Sequence, residues 1–443
     1  MMDVLAKIPK YESYKYSGEE WIGDIPSEWE LVPIRAIFLF RNEKNNPIKT
    51  KEILSLSIAN GVTKYSEKGR GGNKRKDDIT AYKIAHKKDI VLNSMNVIVG
   101  AVGMSKFYGA ISPVYYALYT EKEDVFVEYY EKIFLNEGFQ RGLLKFGKGI
   151  LIKLSGTGKL NTIRMKVSKD DLKTLYFPKP PIAEQKLIFA FIDKKTSQID
   201  EAIAIKQEQI SLLKERKDII IQKTVTQGLK TSVKMKDSGV EWIGQIPEHW
   251  DISIAKHILK KLHRPRKQNG DTVICSNHGC SKLLGEVNQG LVSLTQHDYQ
   301  GVNKGDLLVH GMDAWHGAIA ISEHIGDCTS VVHVCDSNFN KAYIAYFLKM
   351  LAIMNVFKVI SNGVRGNTSD FRSWDKFGEI QIALPPMGEQ AEIVNLLNEQ
   401  IRDTDHAIET FQQQISVLSE YKASFINTVV TGKVKITQEL VKE

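Results

Sequence analysis

Ser17-Gly18-Glu19-Glu20-Trp21-Ile22-Gly23-Asp24-Ile25-Pro26-Ser27-Glu28-Trp29 returns 221 residues later as Ser238-Gly239-Val240-Glu241-Trp242-Ile243-Gly244-Gln245-Ile246-Pro247-Glu248-His249-Trp250. A second phrase, Pro180-Pro181-Ile182-Ala183-Glu184-Gln185, reappears after 205 residues as Pro385-Pro386-Met387-Gly388-Glu389-Gln390. Each Pro-Pro-x-x-Glu-Gln opens a long helical pattern that closes near Gly228 or Gly432. Solenoid repeats recur every ~20–50 residues, so this is a duplicated two-part unit and not an array. One polypeptide imitates a two-fold dimer, which suits a partner that is itself pseudo-symmetric.

These phrases mark off four segments. Residues 17 to about 180 mix short β-like runs with turns: Ile53–Ile58, Asp89–Leu92 and Val97–Val102, punctuated by Gly, Asn and Asp. Residues 125–146 read as helical, and 184–227 as one helix without internal Gly or Pro. The scheme then restarts. Gly305–Val309 answers Lys88–Leu92, Gly317–Ala320 answers Gly100–Gly103, and Phe339–Phe357 answers the 125–146 helix. Residues 389–430 form the second long helix, and the second globular part is 16 residues shorter than the first. Gly69–Lys76 has no counterpart in the second half. Two similar scaffolds with different surfaces are expected to read two different things.

A chain of 443 residues suggests roughly two to four domains. No apolar run approaches the ~20 residues that span a bilayer, and Met1–Lys7 lacks the apolar core of a signal peptide. The formal charge of +8 favours a polyanionic partner where the cations cluster. All four cysteines, Cys275, Cys280, Cys328 and Cys335, lie in the second half, so the repeats share no disulfide framework. A chain with so few cysteines reads as cytoplasmic and reduced. Seven of the eleven histidines fall between His263 and His333. Zinc is the sharp reading of that enrichment. Against it, Cys275-x4-Cys280 and Cys328-x6-Cys335 lack the tight paired spacing of a structural site, and ordinary packing is the expectation.

Both long helices fit a heptad register. The first places Phe189, Ile192, Thr196, Ile199, Ile203, Lys206, Ile210, Leu213, Lys217 and Ile220 on one seam. The second, shifted by 205, places Val394, Leu397, Ile401, Thr404, Ile408, Phe411, Ile415, Leu418, Lys422 and Phe425 there. Several polar breaks do not coincide: Thr196 answers Ile401, Ile199 answers Thr404, and Lys206 answers Phe411. That is the pattern of a heterotypic pair, and an intramolecular coiled coil is expected. At ~1.5 Å per residue such a helix is about 60 Å long. DNA half-sites one turn apart are separated by ~34–36 Å, within its reach.

The sequence holds little that could form a catalytic centre. Gly156-Thr157-Gly158-Lys159-Leu160 fails as a phosphate-binding loop, since Lys153 stands where the first Gly belongs and Leu160 where Ser or Thr would bind magnesium. There is no dinucleotide fingerprint, zinc-protease motif or nucleophile elbow. The Asn-Pro-Pro-aromatic tetrapeptide of amino-methylating DNA enzymes is absent too, with Asn45-Asn46-Pro47-Ile48 the nearest approach. Cation clusters are present. Lys64, Lys68, Arg70, Lys74, Arg75 and Lys76 surround a Gly-rich stretch. Lys145, Lys148, Lys153, Lys159, Arg164 and Lys166 follow, with glycines between them. The second half offers Lys260, Lys261, Arg264, Arg266 and Lys267, then Arg365 beside Asn367. Lys and Arg on loops neutralise phosphates, and Arg or Asn reads base edges. The blander reading of each cluster is a solvated face. Trp21 with Trp29, and Trp242 with Trp250, are read as packing rings, with base stacking the lesser alternative.

These phrases resemble a known family. Lys15–Trp29 and Lys236–Trp250 resemble the opening of specificity subunits of type I restriction–modification systems. The Pro-Pro-x-x-Glu-Gln phrases and long helices resemble that family's conserved regions, in the same order, twice over. The resemblance implies an α+β fold with two pseudo-two-fold related globular α/β target-recognition domains, separated by two long helices that form an antiparallel coiled coil. The implied division is 1–180 and 231–383 for recognition, with 181–230 and 384–443 as helical spacers. It also implies double-stranded DNA as ligand, two adenine-methyltransferase subunits docked on the helices, and restriction subunits joining that core. S-adenosylmethionine, ATP and magnesium would sit on those partners, and no catalytic or metal-binding residue is expected in this chain. Three rivals stand beside it: a methylation-only DNA-binding adaptor, a zinc-dependent hydrolase built on the 263–335 His/Cys cluster, and a coiled-coil protein with no DNA partner.

Overall fold

The structure, a computed structural model, describes residues 7–67, 77–150, 164–230, 232–267, 270–286, 298–361 and 371–442. The chain divides into two compact units: Met1–Ile205 with Gln413–Glu443, and Lys206–Gln412. Each unit joins one globular part to a portion of both long helices. The sequence separates globular parts from helices, whereas compactness divides each helix between the units.

The first unit is built on an antiparallel sheet in the order Leu39–Phe40, Tyr115–Tyr119, Ile90–Asn93, Val102–Met104. The second repeats it as Lys260–Lys261, Val332–Asp336, Leu307–His310, Ile319–Ile321. The central strands explain their own composition. Ile90 and Leu92 face the main core of the unit, while Val91 faces a smaller cluster with Leu54, Val62 and Ile111. Leu307, Val309 and Leu308 divide in the same way. Apolar packing covers both faces, so the runs need no polar alternation.

Two expectations are corrected. Val97–Val102 is not one strand: Val97–Val99 forms a 3-10 turn, Gly100 follows at φ +82°, and the strand starts at Val102. The left-handed glycine reverses the chain, as Gly317 does after Ala314–His316. The 125–146 helix is broken into Val127–Phe134 and Glu137–Gly142. Asn136 caps the second piece, its side chain accepting from the Phe139 N–H at 3.0 Å.

The long helices run Ile182–Gln227 and Met387–Val430. Glycines at φ +72° follow each C-terminus, Gly228 and Gly432. Every one of the twenty seam positions is buried or half-buried, from Ile192 and Leu397 at 0 % exposure to the half-buried Phe189, Ile203, Leu213, Ile401, Phe411 and Ile415. Ile199, Ile210, Val394, Ile408 and Leu418 are buried. Within the first unit Phe191 meets Phe425, ring centroids 5.5 Å apart, and Asp200 accepts from Lys422 at 2.6 Å. Within the second, Lys206 lies over the Phe411 ring at 5.2 Å and Lys217 bridges to Asp405 at 2.7 Å. Numbers rise on one helix as they fall on the other, so the coil is antiparallel. Lys206 and Phe411 are repeat equivalents in direct contact. Two lysines there would repel, and the ring replaces that repulsion with an attraction of ~0.5–1 kcal/mol.

The two repeated phrases lock together in each unit. Trp29 is fully buried and its indole N–H donates to Glu184 at 3.0 Å. Trp250 is fully buried and donates to Glu389 at 3.2 Å. Gln185 donates to the Pro180 and Asp124 carbonyls and accepts from the Phe126 N–H. Gln390 likewise donates to the Pro385 carbonyl and accepts from the Asn340 N–H. A Cβ on Gly432 would come 2.8 Å from the Trp29 ring, and one on Gly228 3.1 Å from the Trp250 ring. Each indole therefore sits where one long helix begins and the other ends.

Candidate nucleic-acid interface

The sequence cations divide by how far their own unit engages them. Lys64 ends the strand Gly61–Lys64, its ammonium 5.5 Å from the Phe107 ring centroid. Lys148 opens Lys148–Ile150 and stands directly opposite Lys166 in the antiparallel ladder. Lys261 pairs opposite Cys335 at the edge of the second unit's sheet. Arg70, Lys74, Arg75, Lys76, Lys153, Lys159, Arg365 and Asn367 lie outside the described residues, as do the 156–160 loop, Lys68 and the side chain of Arg164.

Arg264 is engaged within the fold. Its guanidinium takes both oxygens of Asp306, one at 3.1 Å, and that carboxylate is only 4 % exposed. Arg41 does the same for Asp89, at 2.6 and 2.9 Å. A buried carboxylate left alone would be expensive, and the fork geometry of arginine satisfies it bidentately. The pair holds each arginine's charge above its ordinary pKa through the hydrogen bonds to aspartate. The Arg–Asp strut is thus a repeated structural feature, and Arg264 is tied to its own unit. Arg266 stands 3.6 Å from Asp327, and Lys267 donates to Asn303 at 2.7 Å.

Within the His/Cys enrichment of the second half, three thiols and one imidazole pack in the core, while His263, His278 and His316 are exposed. Cys275, Cys328 and Cys335 are buried free thiols in apolar clusters, each pushed up to about 12 by burial. His333 is fully buried, stacked on Phe377, with Nε2 2.6 Å from the Phe371 carbonyl, and burial lowers its pKa. Among the described residues no group of three or more His, Cys, Asp or Glu could hold a metal ion. The buried Trp29 and Trp250 cannot stack on a base. Among the described residues no helix is long and apolar enough to cross a membrane.

Sequence reading missed a cationic group in the first unit: Lys83, Lys169 and Lys173, gathered around Phe40 and Tyr116. Lys83 and Lys169 are 86 positions apart, so no local charge run marks them.

No family model matches the chain. It is 23 % identical over 464 residues to the putative type I restriction enzyme MjaX specificity subunit of Methanocaldococcus jannaschii, covering 98 % of this chain and all of that protein. It is also 23 % identical to the type I restriction enzyme MjaVIII specificity subunit of the same organism, over 93 % of this chain and 94 % of that one. A solved chain described under complex assembly and conformational transition of the type I R-M system superposes with a TM-score of 0.64 at 11 % identity, over 92 % of this chain and 98 % of that one. That likeness shows a shared fold.

Proposed function

We propose that this chain is the sequence-specificity subunit of a type I restriction–modification enzyme. It carries no catalytic centre and acts on double-stranded DNA in the cytoplasm. Each unit reads one half of a bipartite, asymmetric site. The long helices seat two adenine-methyltransferase subunits and bring in the restriction subunits. S-adenosylmethionine, ATP and magnesium belong to those partners.

The observation that carries this reading is the duplicated lock under unequal surfaces. Trp29–Glu184 and Trp250–Glu389 are made alike, and so are Arg41–Asp89 and Arg264–Asp306. Around them the cations differ in place and number. A scaffold kept twice with surfaces that diverge fits one machine that reads two different sequences. The test is to co-express the chain with its methyltransferase partner and map methylated adenines. A split, asymmetric motif is expected, and a single palindrome would contradict the two-reader arrangement.

A further inference from the structure

At the edge of the first unit's sheet, lysine ammonium groups crowd onto two aromatic rings. Lys83 Nζ is 5.3 Å from the Tyr116 centroid, and Lys169 Nζ is 5.5 Å from Tyr116 and 5.6 Å from Phe40. The two rings are 5.9 Å apart. Lys166 is near enough for its charge to act on Lys83, and it faces Lys148 across the ladder, an opposition of like charges that weakens a sheet. Burial first, then the charges of Lys169 and Lys166, bring Lys83 down to about 8. The nearby acids are Asp170 and Asp171. Asp170, 91 % exposed, pairs with Lys173 at 3.1 Å, while Lys169 donates to the neutral Asn42 at 2.8 Å. Among the described residues no carboxylate pairs with Lys83, Lys148, Lys166 or Lys169.

The second unit shows what the fold itself requires here. Gln300 takes the place of Lys83, each opening a three-residue strand. Lys83 Nζ donates to the Tyr115 carbonyl at 2.8 Å, and Gln300 Nε2 to the equivalent Val332 carbonyl at 2.7 Å. A neutral donor keeps the contact that the two units share, while the Lys83 ammonium also donates to the Pro113 carbonyl at 2.5 Å. Trp374 takes the place of Lys169, each following the serine that opens a short helix. His333 takes the place of Tyr116: Nε2 lies 2.6 Å from the Phe371 carbonyl, where the Tyr116 hydroxyl donates to Val167 at 3.4 Å. One place in the scaffold carries lysines in one unit and a His–Trp pair in the other.

We infer that the Lys83–Lys166–Lys169 cluster is a seat for the backbone phosphates of duplex DNA. The inference rests on the proposed function and says where the first unit grips the duplex without reading a base. An arriving phosphate relieves the repulsion among the ammonium groups, and phosphate contacts fix register without carrying sequence information.

The test titrates the full-length chain with a mixed-sequence duplex across a range of salt. Each phosphate contact steepens log K against log salt by ~0.9, so Lys83→Gln flattens the slope by about 0.9 and the Lys83→Gln/Lys166→Gln/Lys169→Gln variant by about 2.7. Preference among sequences stays unchanged. Phosphate attracts only the protonated ammonium, so affinity of the unaltered chain falls as pH rises past about 8, and Lys83→Gln abolishes that fall. Besides Lys166 and Lys169, the groups near Lys83 are Lys44 in the adjoining bridge, Tyr116, and the more distant Asp170, Asp171 and Lys173. Equal slopes for unaltered and triple-variant chains overturn the inference and leave the proposed function standing. A changed sequence preference at unchanged slope also overturns it, making the cluster a base reader. No salt-dependent duplex binding by the unaltered chain overturns both. Should the triple variant misfold, Lys83→Gln decides alone, since the second unit already accommodates glutamine there.

Discussion

Glu184 and Glu389 each hold two donors at the root of a long helix. Glu184 accepts from Trp29 and from the Tyr11 hydroxyl, whose own ionisation burial disfavours. Glu389 accepts from Trp250 and lies 2.9 Å from His249 Nε2. Replacing the whole ring, Trp29→Ala, is expected to destabilise its unit by about 3–5 kcal/mol, read as a fall in urea midpoint, because a fully buried indole leaves a cavity. Trp250→Phe keeps a six-membered ring and removes one donor to a carboxylate, for ~1.5–3 kcal/mol. Equal losses would mean that the hydrogen bond, and not ring volume, secures the helix root. The thiols give a second prediction at this scale. The thiolate is the form that attacks a disulfide reagent and expels its aromatic thiolate, and burial holds Cys275, Cys328 and Cys335 protonated. An aromatic disulfide reagent at pH 8 should modify only the half-buried Cys280 in the folded chain, and the other three after unfolding. Rapid native modification of Cys328 or Cys335 would contradict their place in the core.

The coiled coil separates what its seam contributes from what its rim contributes. Leu397 is fully buried, so Leu397→Ala is expected to lower stability by about 2–5 kcal/mol. Lys217→Ala removes a bridge to an aspartate that is 54 % exposed, worth ~0.2–1 kcal/mol and less in high salt. Comparable losses in urea melts would show that ion pairs, not the seam, hold the helices. The seam was legible in the sequence because heptad spacing is local: all twenty positions read from periodicity lie on the packed side. The central strands were legible because their apolar runs are short and bounded by turns. The 97–102 segment was not, since Gly100 at positive φ turns an apolar run into a 3-10 turn and a later strand. The Arg41–Asp89 strut and the Lys83 cluster were not, because each joins residues far apart in the chain. Of the histidine-rich stretch, His333 packs in the core as expected, whereas His263, His278 and His316 are exposed, and composition alone does not say which histidine is buried.

For the whole molecule, the proposed function makes the long helices a ruler. Each turn of helix adds length, and the unread gap between half-sites should follow. Inserting four residues after both Gln207 and Gln412 lengthens each helix by ~6 Å, about two base pairs at ~3.4 Å each. It also rotates the downstream seam by ~40°, since four residues exceed one 3.6-residue turn. A seven-residue insertion keeps the heptad phase while adding ~10 Å, or about three base pairs. Methylation mapping of both variants, co-expressed with the methyltransferase, is expected to show the same two half-sites with a wider gap. The seven-residue variant should keep more activity because its apolar seam stays in register. If both variants methylate at full rate with the original gap, the helices do not set the spacing. If the half-site sequences change instead, the insertions have disturbed the readers themselves. Urea melts distinguish these outcomes, because a ruler variant retains the stability that the Trp29 and Trp250 locks supply.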